Sequence, residues 1–235
     1  FFGGQRAEFR NADRHIMKLL RFFFIGALLL LAVGYMREIL ALAPEIAANP
    51  PSIKLFCSGG LTFLAVWLLF KKPFFYRFAV FEHELTHLLV AKLFFLKTLH
   101  FQVSPRKHIE GQVVVGVEGR GALTNVMSVF FSLAPYYVPT LTLCACLLYP
   151  FLMSAALRPV FFFLVGFTTF YHLLTTFLEF GFHQADIQKH GEYFSTAFIL
   201  LGNIMFVGMM LGVLVYGDFG DVPGFLVRGM LNAFQ

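Results

Sequence analysis

Charge is scarce in this chain. Asp, Glu, Lys and Arg make up 13% of its 235 residues, about half of the roughly 25% usual in soluble domains. Hydrophobic residues take 58%, with Phe alone at 33 positions. A water-soluble protein of this size has no core large enough to hide so much apolar surface. Cysteine is scarce as well: Cys57, Cys144 and Cys146 all sit in apolar runs. An odd, scattered set provides neither a disulfide framework nor a zinc-binding CxxC pair, so these read as small apolar fillers. Nucleic-acid-binding motifs are lacking, and the net charge of +5 comes from basic residues spread along loops. Internal repeats and disordered linkers are also missing. The sequence therefore predicts an integral membrane protein whose residues 1–235 form a single membrane domain.

What is present is a succession of apolar runs, each near the roughly 20 residues that cross a bilayer. They lie at about 19–36, 53–70, 74–96, 125–149, 160–180 and 193–216. This pattern predicts an all-α polytopic membrane protein with about six transmembrane helices. Arg6, Arg10, Arg14, Lys18 and Arg21 precede the first run. They form a positive flank that predicts a cytoplasmic N-terminus, and the run behind them reads as an anchor helix rather than a signal peptide. Residues 41–52, with Pro44, Pro50 and Pro51, read as a connector. Pro135 and Pro139 should bend or break the fourth run.

Residues 97–121 differ in character. Leu99, Phe101 and Val103 alternate with polar neighbours, 112–117 is β-branched, and 104–111 is turn-like, which predicts a small β-hairpin. Its unpaired edges confine it to the membrane surface or to contact with protein. A C-terminal helix at about 221–235 carries Phe225, Leu226, Met230, Leu231 and Phe234 at helical spacing and is expected along the interface.

Inside the third run stands His83-Glu84-Leu85-Thr86-His87, an HExxH motif on a helix predicted at about 74–96. Histidines four apart on a helix project from one face. One divalent metal then takes a nitrogen from each, at roughly 2.0–2.1 Å for zinc. Glu84 is placed to accept a proton from water at the metal. Ionisable groups inside a membrane are costly and are functional candidates by default. Catalytic zinc takes three protein ligands and keeps one position open. Asp186, in the polar segment 181–192 before the last run, is the leading third ligand, although a first-turn aspartate is commonly a helix-capping group. Glu179, His172, His183 and His190 are the alternatives. His172, Thr175, Thr176 and Glu179 form a polar stripe that suits either support of metal ligands or a helix–helix contact.

HELTH within a hydrophobic span, a Gly-containing hairpin after it and an aspartate before a late span resemble the site-2 protease family of intramembrane zinc metalloproteases. The likeness is to its compact bacterial-type members and covers roughly residues 73–205. It implies Zn2+ held by His83, His87 and Asp186, with Glu84 as the catalytic base. Two departures stand out. Asp186 lies in His183-Gln184-Ala185-Asp186-Ile187-Gln188, where the family commonly has Asn-Pro and Asp-Gly. Ser132-Leu133-Ala134-Pro135-Tyr136 stands where many relatives have a Gly-Pro turn. No PDZ-like insertion is present.

The function so implied is hydrolysis of peptide bonds in membrane-embedded or membrane-adjacent substrates, with a membrane protein or peptide and the lipid bilayer as partners. The alternative is a protease-like, non-catalytic structural or accessory subunit of a larger membrane complex that retains the metal site. Metal transport is disfavoured, because one HExxH and one aspartate do not line a path.

Overall fold

Backbone amides in lipid must be satisfied within the protein, which favours helices wherever the sequence is apolar. The computed structural model follows this rule and describes residues 2–48, 50–70, 73–94, 97–102, 112–116, 122–152, 154 and 156–235. Helix α1 (Phe2–Ala41) runs unbroken from the basic flank into the first apolar run. Its early residues include good helix formers and no proline, so the helix begins well before residue 19. The connector expected at 41–52 is itself mostly helical: α2 is Ala43–Ala48 and α3 is Pro50–Leu69. Proline at a helix start loses nothing, since its absent N–H would have had no partner.

Helix α4 (Pro73–Leu93) carries HELTH. Strands β1 (Lys97–Gln102) and β2 (Gln112–Gly116) follow and pair antiparallel, Lys97 opposite Gly116 and Gln102 opposite Gln112. The turn-like segment between them, 103–111, lies outside the described residues. Then come α5 (Ala122–Tyr137), α6 (Thr140–Leu147), α7 (Tyr149–Leu152), α8 (Arg158–Glu179), α9 (Ala185–His190), α10 (Glu192–Tyr216) and α11 (Val222–Asn232).

Among the described residues, 4 helices are long and apolar enough to cross a membrane: Leu19–Ala48, Pro51–Leu69, Arg158–Glu179 and Glu192–Tyr216. Helices α5 and α6 together make a fifth such stretch, bent by 83°. Of the roughly six spans expected, these are the ones that length and composition support among the described residues. The HELTH helix is not among them, because Arg77, Glu82, Glu84 and Lys92 interrupt its apolar character. The break between α5 and α6 falls at Val138 and Pro139, as the prolines of this run suggest.

Lipid tails are as apolar as leucine, so helices in a membrane associate by close packing and polar contacts. Glycine permits that closeness. A Cβ at Gly59 of α3 would overlap the Phe163 carbonyl oxygen of α8, and one at Gly166 would overlap that of Phe56. Around this crossing, Phe56 packs edge-on against Phe170, and Phe63 against Phe167 and Tyr171. Replacing Gly166 by Val should therefore lower the melting temperature, since overpacking typically costs about 1–3 kcal/mol. A Cβ at Gly212 meets nothing within 4 Å, so Gly212→Ala should melt like the parent. Equal melting of the two variants by thermal shift would contradict this packing.

Helices α1 and α10 run parallel, since Arg21 neighbours Gly191 and Ile39 neighbours Gly208. Helix α11 crosses α1 at Gly34, where a Cβ would meet the Gly229 carbonyl oxygen. The buried Glu38 accepts hydrogen bonds from Arg228 and, at 3.0 Å, from Asn232. Arg228 also grips Asp221 through two nitrogens, at 3.1 and 2.7 Å. The tail is thus anchored to protein. Phe225 is buried beside Tyr35, while Met230, Leu231 and Phe234 remain exposed.

Candidate metal centre

One turn of α4 sets the His83 and His87 rings 5.0 Å apart, inclined at 72°. Asp186 reaches them from α9. Its Oδ2 lies 3.6 Å from His87 Nε2 and 4.0 Å from His83 Nε2. One ligand atom from each of these residues falls within 4.8 Å of the others, and no other such group of three occurs among the described residues. Zinc bonds of roughly 2.0–2.2 Å in a tetrahedron need ligand atoms about 3.3 Å apart, a contraction within reach of side-chain rotation. Two imidazoles and a carboxylate are a zinc-type donor set that leaves a coordination position open. The donor set fits the metal.

The division of labour between ring nitrogens strengthens the fit. His83 Nδ1 lies 3.3 Å from Glu179 Oε2, and His87 Nδ1 lies 2.9 Å from the Phe131 carbonyl oxygen. Both partners are acceptors, so each Nδ1 donates its proton there, and each Nε2 faces the Asp186 carboxylate, where it would give up its proton to bind a metal. This is how a metal-ligating histidine is oriented and its tautomer fixed.

Local sequence explains the placement of these partners. Residue 135 is proline and has no N–H, so the carbonyl four residues earlier, that of Phe131, lacks its helical donor. His87 occupies it. The Tyr136 carbonyl is freed likewise, because the Thr140 N–H turns to the Val138 oxygen at the break. Asn203 Nδ2 donates to the Tyr136 oxygen at 2.8 Å and Thr176 Oγ1 at 3.4 Å. The Tyr136 ring then stands edge-on to His83, with centroids 5.3 Å apart.

Asp186 is carried in by its neighbour. Ile187 is fully buried among Val90, Leu133, Ala134 and Tyr136, which draws the first turn of α9 against α4 and α5. Asp186 makes no cap hydrogen bond, and Gln184 holds the N-cap position. Burial opposes its ionisation, yet hydrogen bonds and charge from His83 and His87 hold the carboxyl well below the usual carboxylate range.

The remaining sequence candidates fall elsewhere. His172 pairs with Asn203 at 3.1 Å, His190 with Ser132 at 3.1 Å, and His183 is exposed. Glu179 stands behind His83 rather than beside Asp186. The polar stripe thus divides its work, Glu179 meeting a motif histidine while His172 and Thr176 join helices. Sequence reading missed Phe131 and Asn203, although Pro135 signals the first by its spacing. Glu84 is buried next to His83. On the far side of α4, Thr86 bonds to Glu82 at 3.2 Å and to Thr140, tying the motif helix to the start of α6.

Comparison of the chain with protein-family models, with curated proteins and with solved structures gives no match in any of the three.

Loss of the carboxylate behind His83 has a definite expected cost. Glu179→Gln should weaken zinc retention about 10- to 100-fold, the usual cost of removing a ligand's supporting partner. Chelator competition measures it. Retention equal to the parent's would remove Glu179 from the centre.

Proposed function

We propose that this chain is a multi-pass intramembrane zinc metalloprotease that hydrolyses peptide bonds of membrane-embedded or membrane-adjacent substrates, with its N-terminus on the cytoplasmic side. One observation carries the reading: both motif histidines turn Nε2 towards Asp186 while Glu179 and the Phe131 carbonyl engage their Nδ1 atoms. The resemblance of HELTH and its surroundings to the site-2 protease family agrees with it.

Zinc held by His83, His87 and Asp186 would supply Lewis acidity, polarising a scissile carbonyl and lowering the pKa of water towards about 7. Glu84, one residue after His83, accepts a proton from the attacking water and delivers it to the leaving amine. Glu179 and the Phe131 carbonyl keep the two imidazoles in the ligating tautomer. The antiparallel pair β1–β2 would offer an edge to an extended substrate segment.

The test is cleavage of a library of membrane-spanning peptides by the chain reconstituted in bilayers, read by mass spectrometry. Products should disappear on treatment with a zinc chelator and return with added zinc. A chain that holds zinc and is well folded, yet cuts no peptide, would favour the accessory-subunit reading instead.

A further inference from the structure

At the C-terminal end of α9, one turn beyond Asp186, three basic groups gather. Lys189 Nζ donates to Ser132 Oγ at 3.1 Å, and His190 Nε2 lies 3.1 Å from the same oxygen. Ser132 is buried, and its single proton goes to the Ser128 carbonyl at 2.7 Å. The hydroxyl therefore accepts from both basic residues and holds their heads side by side. Arg21 arrives from α1, its guanidinium near the place a Cβ would take on Gly191. Gly191 has φ +92, a conformation that L side chains rarely adopt, so the path from α9 into α10 stays open to that guanidinium.

Among the described residues no ion pair neutralises Arg21, Lys189 or His190. Burial, Lys189 and Arg21 all lower the His190 pKa, against the pull of Asp186. The groups thus repel one another at close range. Arg21 and Lys189 are exposed, so both heads are open to an anion from outside.

Its level in the membrane indicates the source of that anion. Arg21 stands at the head of the first apolar stretch, followed at once by Phe22 and Phe23, which are 78% and 74% exposed. On the adjoining α10, Tyr193 is 79% exposed, an aromatic of the type that marks the membrane–water interface. Cations beside outward-facing aromatics at this depth meet lipid phosphates, and basic residues here attract anionic lipid.

We propose that Arg21, Lys189 and His190 form a binding site for the phosphate headgroup of an anionic phospholipid, at the rim of the metal centre. The site is independent of the protease reading, since it needs neither zinc nor a substrate. Lys189 retains two N–H donors beyond its bond to Ser132, and Arg21 offers its guanidinium fork, a geometry suited to phosphate oxygens.

The full chain in neutral detergent is titrated with phosphatidylglycerol or phosphatidylcholine of the same acyl chains, and bound lipid is counted by native mass spectrometry. Phosphatidylglycerol should be retained preferentially. The double variant Arg21→Gln/Lys189→Gln should weaken its binding about thirtyfold, from the loss of two interfacial cations. Lys54→Gln, an exposed cation on α3, should bind like the parent, and Arg21→Lys/Lys189→Arg should keep most of the preference. Undiminished binding in the Gln double variant would overturn the site, as would loss from Lys54→Gln alone. Displacement by inorganic phosphate at matched concentration would reassign it to a free anion. Displacement by an acidic peptide would reassign it to substrate.

Discussion

Glu84→Gln is expected to leave zinc content and melting temperature at parental values while slowing cleavage of a membrane peptide by about 10²- to 10⁴-fold, the usual worth of a general base. The carboxylate is buried beside His83 but does not belong to the group formed by His83, His87 and Asp186. Glutamine keeps its volume and hydrogen-bonding capacity and removes only the ability to accept a proton. The pairing of two readouts gives the experiment its power. If zinc is retained and turnover falls, Glu84 serves chemistry. Were turnover unchanged in a variant that holds zinc normally, the metal would be architectural and the protease reading would fail. Zinc lost along with turnover would instead make Glu84 a ligand or a support of one.

Removing a ligand should act on the metal itself. Purified chain should hold close to one zinc, and His87→Ala or Asp186→Ala should shed most of it, exceeding the roughly 10- to 100-fold expected for a supporting group. Asp186 is the sharper case, because its carboxylate is the only acidic oxygen grouped with the two Nε2 atoms among the described residues. Elemental analysis after dialysis reads the result. Full zinc in Asp186→Ala would mean that the third ligand comes from elsewhere. A chain purified intact without metal would remove the centre altogether.

The two histidines and Glu84 are legible in the sequence because a helix converts spacing directly into direction. Asp186 is less so. Its sequence shows a polar segment before a span, and only the burial of Ile187 explains why that segment folds inward. Glu179 can be placed on a polar stripe by counting, but which histidine it meets depends on how α8 packs. The Phe131 carbonyl carries no side-chain signal, and the clue lies four residues away at Pro135. Span counting is least decisive where apolar average and local charge conflict: α4 is rich in phenylalanine and leucine yet carries four charged side chains. The helical content of 41–52 and the anchoring of Phe225 are tertiary matters, since spacing reveals an apolar face without naming what covers it.

The Phe131–His87 bond gives the centre an unusual pattern of genetic exposure. An acceptor supplied by backbone cannot be deleted by exchanging the residue that owns it, so position 131 tolerates any side chain that fits beside the His87 ring. The vulnerability has moved to position 135. There, any amino acid other than proline brings a new N–H into competition with His87 for the same oxygen. A helix-strengthening change at a residue outside the proposed ligand set would thus loosen His87, and selection on a bound metal would be felt as selection on a bend.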